Sequence, residues 1–279
     1  MKTILIPTDF SDNAAMAFSY GLIFARKISA EIILYHVTHV PHGVVPPPIA
    51  SSFEYIESKA LEDLIKWKDS IIKNERHVEV KLKVETGFAV DEISAFSKKN
   101  AVDMIIMGTK GASGIHEVFL GSNAAAVIEK ASCPVLIIPD NAKFKNIEKI
   151  VFATNFQDSD FQSISFLAEM ASLFNSEILI VHIVQLTPVQ KNKEDLPQWF
   201  KEELKKKVKV EYGKISFHVL TGGNVDDELE NFMVKNNVDL LSLSMRKRTL
   251  FSKLFDRSLT KKMAYHTHTP LLAFHAMKE

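Results

Sequence analysis

A single cysteine, Cys133, stands among 279 residues, so no disulfide within the chain is possible. Such usage fits a reducing compartment. No run approaches the roughly 18 apolar residues of a membrane-spanning helix. The opening MKTILIPTDFSD has a short apolar run that stops at Pro7 and Asp9, too short for the core of a signal peptide. Neither sign of charge prevails: Lys+Arg and Asp+Glu both number 34. Nothing in that balance favours nucleic acid or an anionic membrane surface. Two familiar phosphate cradles are also missing. No GxxxxGK[ST] occurs, and the turn after the first apolar segment reads Pro7-Thr8-Asp9-Phe10-Ser11 where a GxGxxG loop would need glycines. These absences lead us to expect a soluble cytoplasmic protein with no nucleic-acid or membrane partner.

What is present is a core and a repeat. Hydrophobic residues make up 46% of the chain and charged residues 24%, enough to bury a real interior. Ile4-Leu5-Ile6-Pro7-Thr8-Asp9-Phe10 aligns with Ile150-Val151-Phe152-Ala153-Thr154-Asn155-Phe156 at an offset of 146 residues. The offset holds through Ala25/Ala171, Glu31/Glu177 and His36/His182. Further on, Thr86-Gly87 matches Thr221-Gly222, Val102-Asp103 matches Val238-Asp239, and Ser132-Cys133-Pro134 matches His268-Thr269-Pro270. A repeat of this length is a domain rather than a solenoid unit. We expect domains at 1–142 and 146–279, with the polar DNAKFKN stretch at the boundary.

Each half alternates strand and helix. In the first, strands are expected at Thr3–Ile6, Glu31–Val37, Val78–Val84, Met104–Met107 and Val135–Ile138. Ser11 should cap a helix buried through Ala14, Phe18, Leu22, Ala25 and Ile28. Residues 38–50 carry three consecutive prolines and read as a loop. A helix follows with Phe53, Ile56, Ala60, Leu64, Trp67 and Ile71 on one face. Further helices are expected over Val90–Lys99 and from Gly121. The fold class is therefore α/β: two tandem doubly wound domains, each with a five-stranded parallel sheet. Ligands of such sheets sit at the carboxyl ends of the strands, where strand order reverses.

Residues 108–122 read GTKGASGIHEVFLGS, which places Gly108, Gly111, Gly121 and Ser122 around a loop that opens a helix. Glycines let backbone N–H groups approach a ligand, and a helix N-terminus offers unpaired N–H groups with partial positive charge. The matching stretch of the second half is SMRKRTLFSKLFDRS, with Ser244, Lys247 and Arg257 in place of the glycines, and Asn155 in place of Asp9. One nucleotide site and one silent counterpart are expected. The basic residues Arg246, Lys247, Arg248, Lys253 and Arg257 read either as a solvated face or as an attractor for another anion.

These residues carry a family likeness. The spacing G-x2-G-x9-G-[S/T], the ILIPTDFS opening and the Ser-Cys-Pro-Val-Leu-Ile-Ile-Pro ending resemble the universal stress protein family, in its tandem form, over essentially the whole chain. The resemblance implies a Rossmann-like fold of the HUP type and an adenine-nucleotide site for ATP, with Mg²⁺ held mainly by phosphate oxygens. It implies Asp9 near the adenosine, Val37 binding adenine through its backbone, and Gly108 approaching ribose and phosphates. Gly111, Gly121 and Ser122 would hold the phosphates, with Asn123 beside them. Met107 is a candidate for the pocket wall. Lys110 reads either as a phosphate partner or as an exposed loop lysine. The resemblance also implies pairing through the last strands, Val135–Ile138 and Leu271–Phe274, so that the two halves could pair with each other as a pseudo-dimer, and a homodimer of tandem chains.

No nucleophile–base pair is evident, so no catalytic residue is assigned and any ATP hydrolysis should be slow. The expected role is an ATP-binding stress-response or signalling module. The alternatives are a nucleotide-hydrolysing or adenylating enzyme, a nucleotide-free dimerising protein, or a binder of a small hydrophobe within 38–75. His36 and His182 read as strand-end caps. His266, His268 and His275 have no neighbouring carboxylate or cysteine cluster, so no metal site is expected. Cys133 reads as buried packing. His116 and Glu117 face either phosphate or solvent.

Overall fold

A computed structural model describes residues 1–39, 49–72, 78–109, 120–140, 142, 144–185, 197–208, 214–245 and 269–275. The chain divides into two compact units, Met1–Phe144 and Lys145–Glu279.

In the first unit the order is β1 (Thr3–Thr8), α1 (Asp12–Ile28), β2 (Glu31–Thr38), α2 (Ile49–Ile71), β3 (Val80–Thr86), α3 (Ala89–Lys99), β4 (Met104–Gly108), α4 (Ser122–Lys130) and β5 (Val135–Ile138). The strands lie in the order β3-β2-β1-β4-β5 and every pairing is parallel. Strand order reverses between β1 and β4, and right-handed crossovers put α1 and α2 on one face and α3 and α4 on the other. Ser11 caps α1 by accepting the Ala14 N–H at 3.2 Å. Ser29, in the left-handed region, ends the helix. All five apolar positions expected on α1, Ala14, Phe18, Leu22, Ala25 and Ile28, are buried, and Phe18 stacks on Trp67 of α2 at 5.8 Å.

The second unit repeats the plan: β6 (Lys149–Ala153), α5 (Asp158–Phe174), β7 (Glu177–Gln185), α6 (Gln198–Lys207), β8 (Lys214–Gly222), α7 (Val225–Asn236), β9 (Leu240–Met245) and β10 (Leu271–His275). Its strand order, β8-β7-β6-β9-β10, has the same topology, again with parallel pairings.

Three boundaries differ from the sequence reading. β1 runs through Pro7 to Thr8. β2 takes in Thr38, and α2 already starts at Ile49, so the span expected as a loop over 38–50 is shorter; residues 40–48 lie outside the described ones. β3 lies two residues later than expected, at Val80–Thr86. It edges the sheet, and Val80, Leu82 and Val84 face inward while Lys81 and Lys83 are exposed, as the alternation implies.

Candidate functional site

The turn after β1 is built the same way in both units. Phe10 adopts a left-handed φ of 64° and Phe156 one of 57°, conformations uncommon for bulky residues. Thr8 Oγ1 accepts the Phe10 N–H at 3.0 Å, and Thr154 Oγ1 accepts that of Phe156 at 2.9 Å. The Phe10 ring rests on His36 with centroids 4.3 Å apart, as Phe156 rests on His182. Each histidine bonds through Nδ1 to the carbonyl of the preceding strand's last threonine or its counterpart, 2.8 Å to Thr8 O and 2.8 Å to Thr154 O. His36 and His182 are thus turn-holding groups that belong to the fold and recur whatever each unit binds.

This turn presents Asp9, which is exposed and accepts from Ser11 N–H at 3.1 Å and Ser11 O–H at 2.6 Å. Asn155 replaces it in the second unit. In that unit Asp160, 2% exposed, accepts from Thr154 Oγ1 at 2.7 Å and Gln157 N–H at 3.1 Å. The position equivalent to Asp160 in the first unit is the apolar Ala14.

The units differ most at the switch point. β1 pairs with β4 only over Ile4–Met104 and Leu5–Ile105. The matching ladder of β6 and β9 continues two residues further, through Phe152–Ser242 and Ala153–Leu243. Pro7, where the second unit has Ala153, lacks a backbone N–H. A proline is tolerated at the end of this central strand because the ladder toward β4 has already ended. The β1–β4 ladder thus ends where Pro7 has no N–H to donate.

Met107 is buried in β4, and Gly108 is the last residue of that strand. Across the crevice Gly121 is the N-cap of α4, with Ser122 and Asn123 exposed in the first turn. Gly121 has no side chain to cap α4, as Phe88 and Pro197 offer none to α3 and α6, whereas Ser11 and Asn224 cap α1 and α7. The start of α4 at this place suits an anion, because a helix N-terminus carries N–H groups and a partial positive charge. Val37 lies half-buried near the end of β2, paired with Glu85. Lys110, Gly111, His116 and Glu117, together with the basic stretch Arg246–Arg257, lie outside the described residues.

Sequence reasoning missed the polar cluster beside Gly108. Thr109, 2% exposed, donates its hydroxyl to Asp140 Oδ1 at 2.9 Å, and Asn13 Nδ2 reaches the same carboxylate oxygen. Thr109 O accepts the Gly121 N–H at 2.6 Å, which joins the end of β4 to the start of α4. The available signal was the joint replacement of Asn13 and Gly108 by Ser159 and Ser244 across the repeat.

The Universal stress protein family pattern matches residues 1–139 and again 146–275. The chain belongs to the universal stress protein family. A universal stress protein of Methanocaldococcus jannaschii is 34% identical over 139 residues, covering 49% of this chain and 81% of that protein. One from Synechocystis sp. is 25% identical over 297 residues, covering 98% of this chain and all of the relative (100%). The crystal structure of a universal stress protein from Archaeoglobus fulgidus covers 98% of this chain and 96% of its own, with a TM-score of 0.70 at 17% identity; it shares the fold. In this universal stress protein no helix among the described residues is long and apolar enough to cross a membrane. Cys133 is buried, as expected, and its thiol is pushed up to about 12, first by burial and also by the charge of Asp103.

Proposed function

We propose that the first unit, residues 1–142, binds ATP at the β1/β4 switch point, accompanied by Mg²⁺, and that residues 146–279 form a unit without a nucleotide. The observation that carries this reading is the join of β4 to α4 at the switch point: Gly108 ends the strand, Gly121 opens the helix and gives its N–H to Thr109 O at 2.6 Å, and the second unit has Ser244 and Arg257 in place of the two glycines. The N-terminus of α4, placed at the carboxyl end of β4, supports an anionic ligand there. Asp9 and the Val37 backbone would meet the adenosine. Met107 and Gly108 would line the floor, and Lys110, Gly111, Gly121, Ser122 and Asn123 would face the phosphates. Mg²⁺ would be held chiefly by phosphate oxygens.

Binding rather than turnover is the proposed activity, in a stress-response or signalling role. Denaturing the purified protein and identifying released nucleotide by mass spectrometry tests it; adenine nucleotide is expected, and its absence both there and in titrations with added ATP would refute the reading. We further propose that tandem chains form a homodimer. Light scattering should report twice the chain mass, and a strict monomer at micromolar concentration would contradict this.

A further inference from the structure

Glycine at 108 has a reason inside the protein. A side chain there would collide with the Asn13 side-chain oxygen, come within 2.8 Å of Asn13 Cγ and within 3.0 Å of its carbonyl oxygen. The missing Cβ thus makes room for Asn13. Asn13 uses that room to bring its amide against the Asp140 carboxylate, with Thr109 Oγ1 3.3 Å from the same Nδ2. Thr109 also donates to Asp140 at 2.9 Å and accepts the Gly121 N–H through its carbonyl at 2.6 Å. One connected set of groups therefore runs from α1, through the end of β4 and the residue after Pro139, to the N-cap of α4.

Asn13 holds this place at a cost. Its Oδ1 is buried and has no hydrogen-bond partner among the described residues. Turning the amide over would point that oxygen at a carboxylate, so the donor is committed to Asp140 and the acceptor stays orphaned. A position serving packing alone would be relieved of such an orphan by a smaller side chain. The second unit shows that relief. Ser159 stands for Asn13, Ser244 for Gly108 and Ser163 for Ala17, and Ser244 Oγ is satisfied by Ser163 Oγ at 3.0 Å. The fold accepts either set. Only the first unit, with glycines at 108 and 121, keeps the asparagine set.

We propose that Asn13, Thr109 and Asp140 are positioning residues of the first unit's nucleotide site, tying the end of β4 to the start of α4, and that Gly108 is bare to admit Asn13. The positioning role rests on the nucleotide reading above; the coupling of Gly108 to Asn13 does not. The test is a double-mutant cycle in the full chain with Gly108→Ser, Asn13→Ser and both together. Each protein is measured for its thermal midpoint without nucleotide and for calorimetric affinity toward MgATP.

Gly108→Ser alone should lower the midpoint by about 5 °C or more, a shift within the range of ordinary core clashes. Adding Asn13→Ser should return it to within about 2 °C of the unaltered chain. A double variant as unstable as Gly108→Ser would overturn the coupling. Asn13→Ser alone should keep its midpoint yet weaken MgATP binding about tenfold, the scale of one lost hydrogen bond to a charged acceptor. Unchanged affinity would overturn the positioning role. Should Asn13→Ser fold poorly, Asp140→Asn replaces it, with the same loss expected at an unchanged midpoint. If the unaltered chain bound no MgATP, the nucleotide reading and the positioning role would fall together, while the midpoints would still decide the coupling.

Discussion

Tyr35 is fully buried in β2, and its hydroxyl donates to Glu85 Oε2 at 2.6 Å. Burial first, and then the Glu85 carboxylate, hold the phenol well above its usual range. Tyr35→Phe should cost about 1–2 kcal/mol in denaturant unfolding, because Glu85 loses a buried donor but keeps Lys83 at 3.3 Å. Cys133 gives a second prediction. Its thiol, held near 12, should resist iodoacetamide at pH 8 in the native protein and react on unfolding. The sign of the linkage follows: an unfolded thiol ionises near 8.5 and the folded one does not, so the stabilisation is complete below about 8.5 and is lost as pH climbs toward 12. The alkaline fall in stability should be shallower in Cys133→Val. Single residues were unevenly legible in the sequence. Cys133 read correctly as packing because apolar neighbours surround it in the chain. The Asn13–Asp140 contact did not, because 127 positions separate the partners and no local pattern links them.

At the scale of elements, hydropathy period was sufficient wherever one face is buried. α1 is such a case, its buried positions falling at helical spacing. It left the bounds inexact at the edge strand β3, by two residues, and at β1, where Pro7 suggested an end that the strand passes. A proline marks the end of hydrogen bonding on one side of a strand, and here that side is the one facing β4. The Ser11 cap links element and site, because its hydroxyl both accepts from Ala14 and donates to Asp9. Ser11→Ala should cost about 1 kcal/mol of stability from the lost cap. Thermal unfolding of the variant checks this, and an unchanged midpoint would show that the cap is replaced by solvent.

At the scale of the whole chain, one topology appears twice and the two copies part at a few positions. Pro7, Asn13, Gly108 and Gly121 in the first unit stand against Ala153, Ser159, Ser244 and Arg257 in the second. The repeat and its α/β class were legible because strands and apolar helix faces survive divergence. The difference in ladder length between β1–β4 and β6–β9 was not, because hydrogen bonding between strands distant in sequence leaves no periodic trace. Calorimetric titration of the full chain with MgATP, beside Gly121→Arg, tests for a single nucleotide site at the switch point of the first unit. One equivalent should bind to the unaltered chain and none to Gly121→Arg; two equivalents per chain, or undiminished binding in the variant, would refute a single site there.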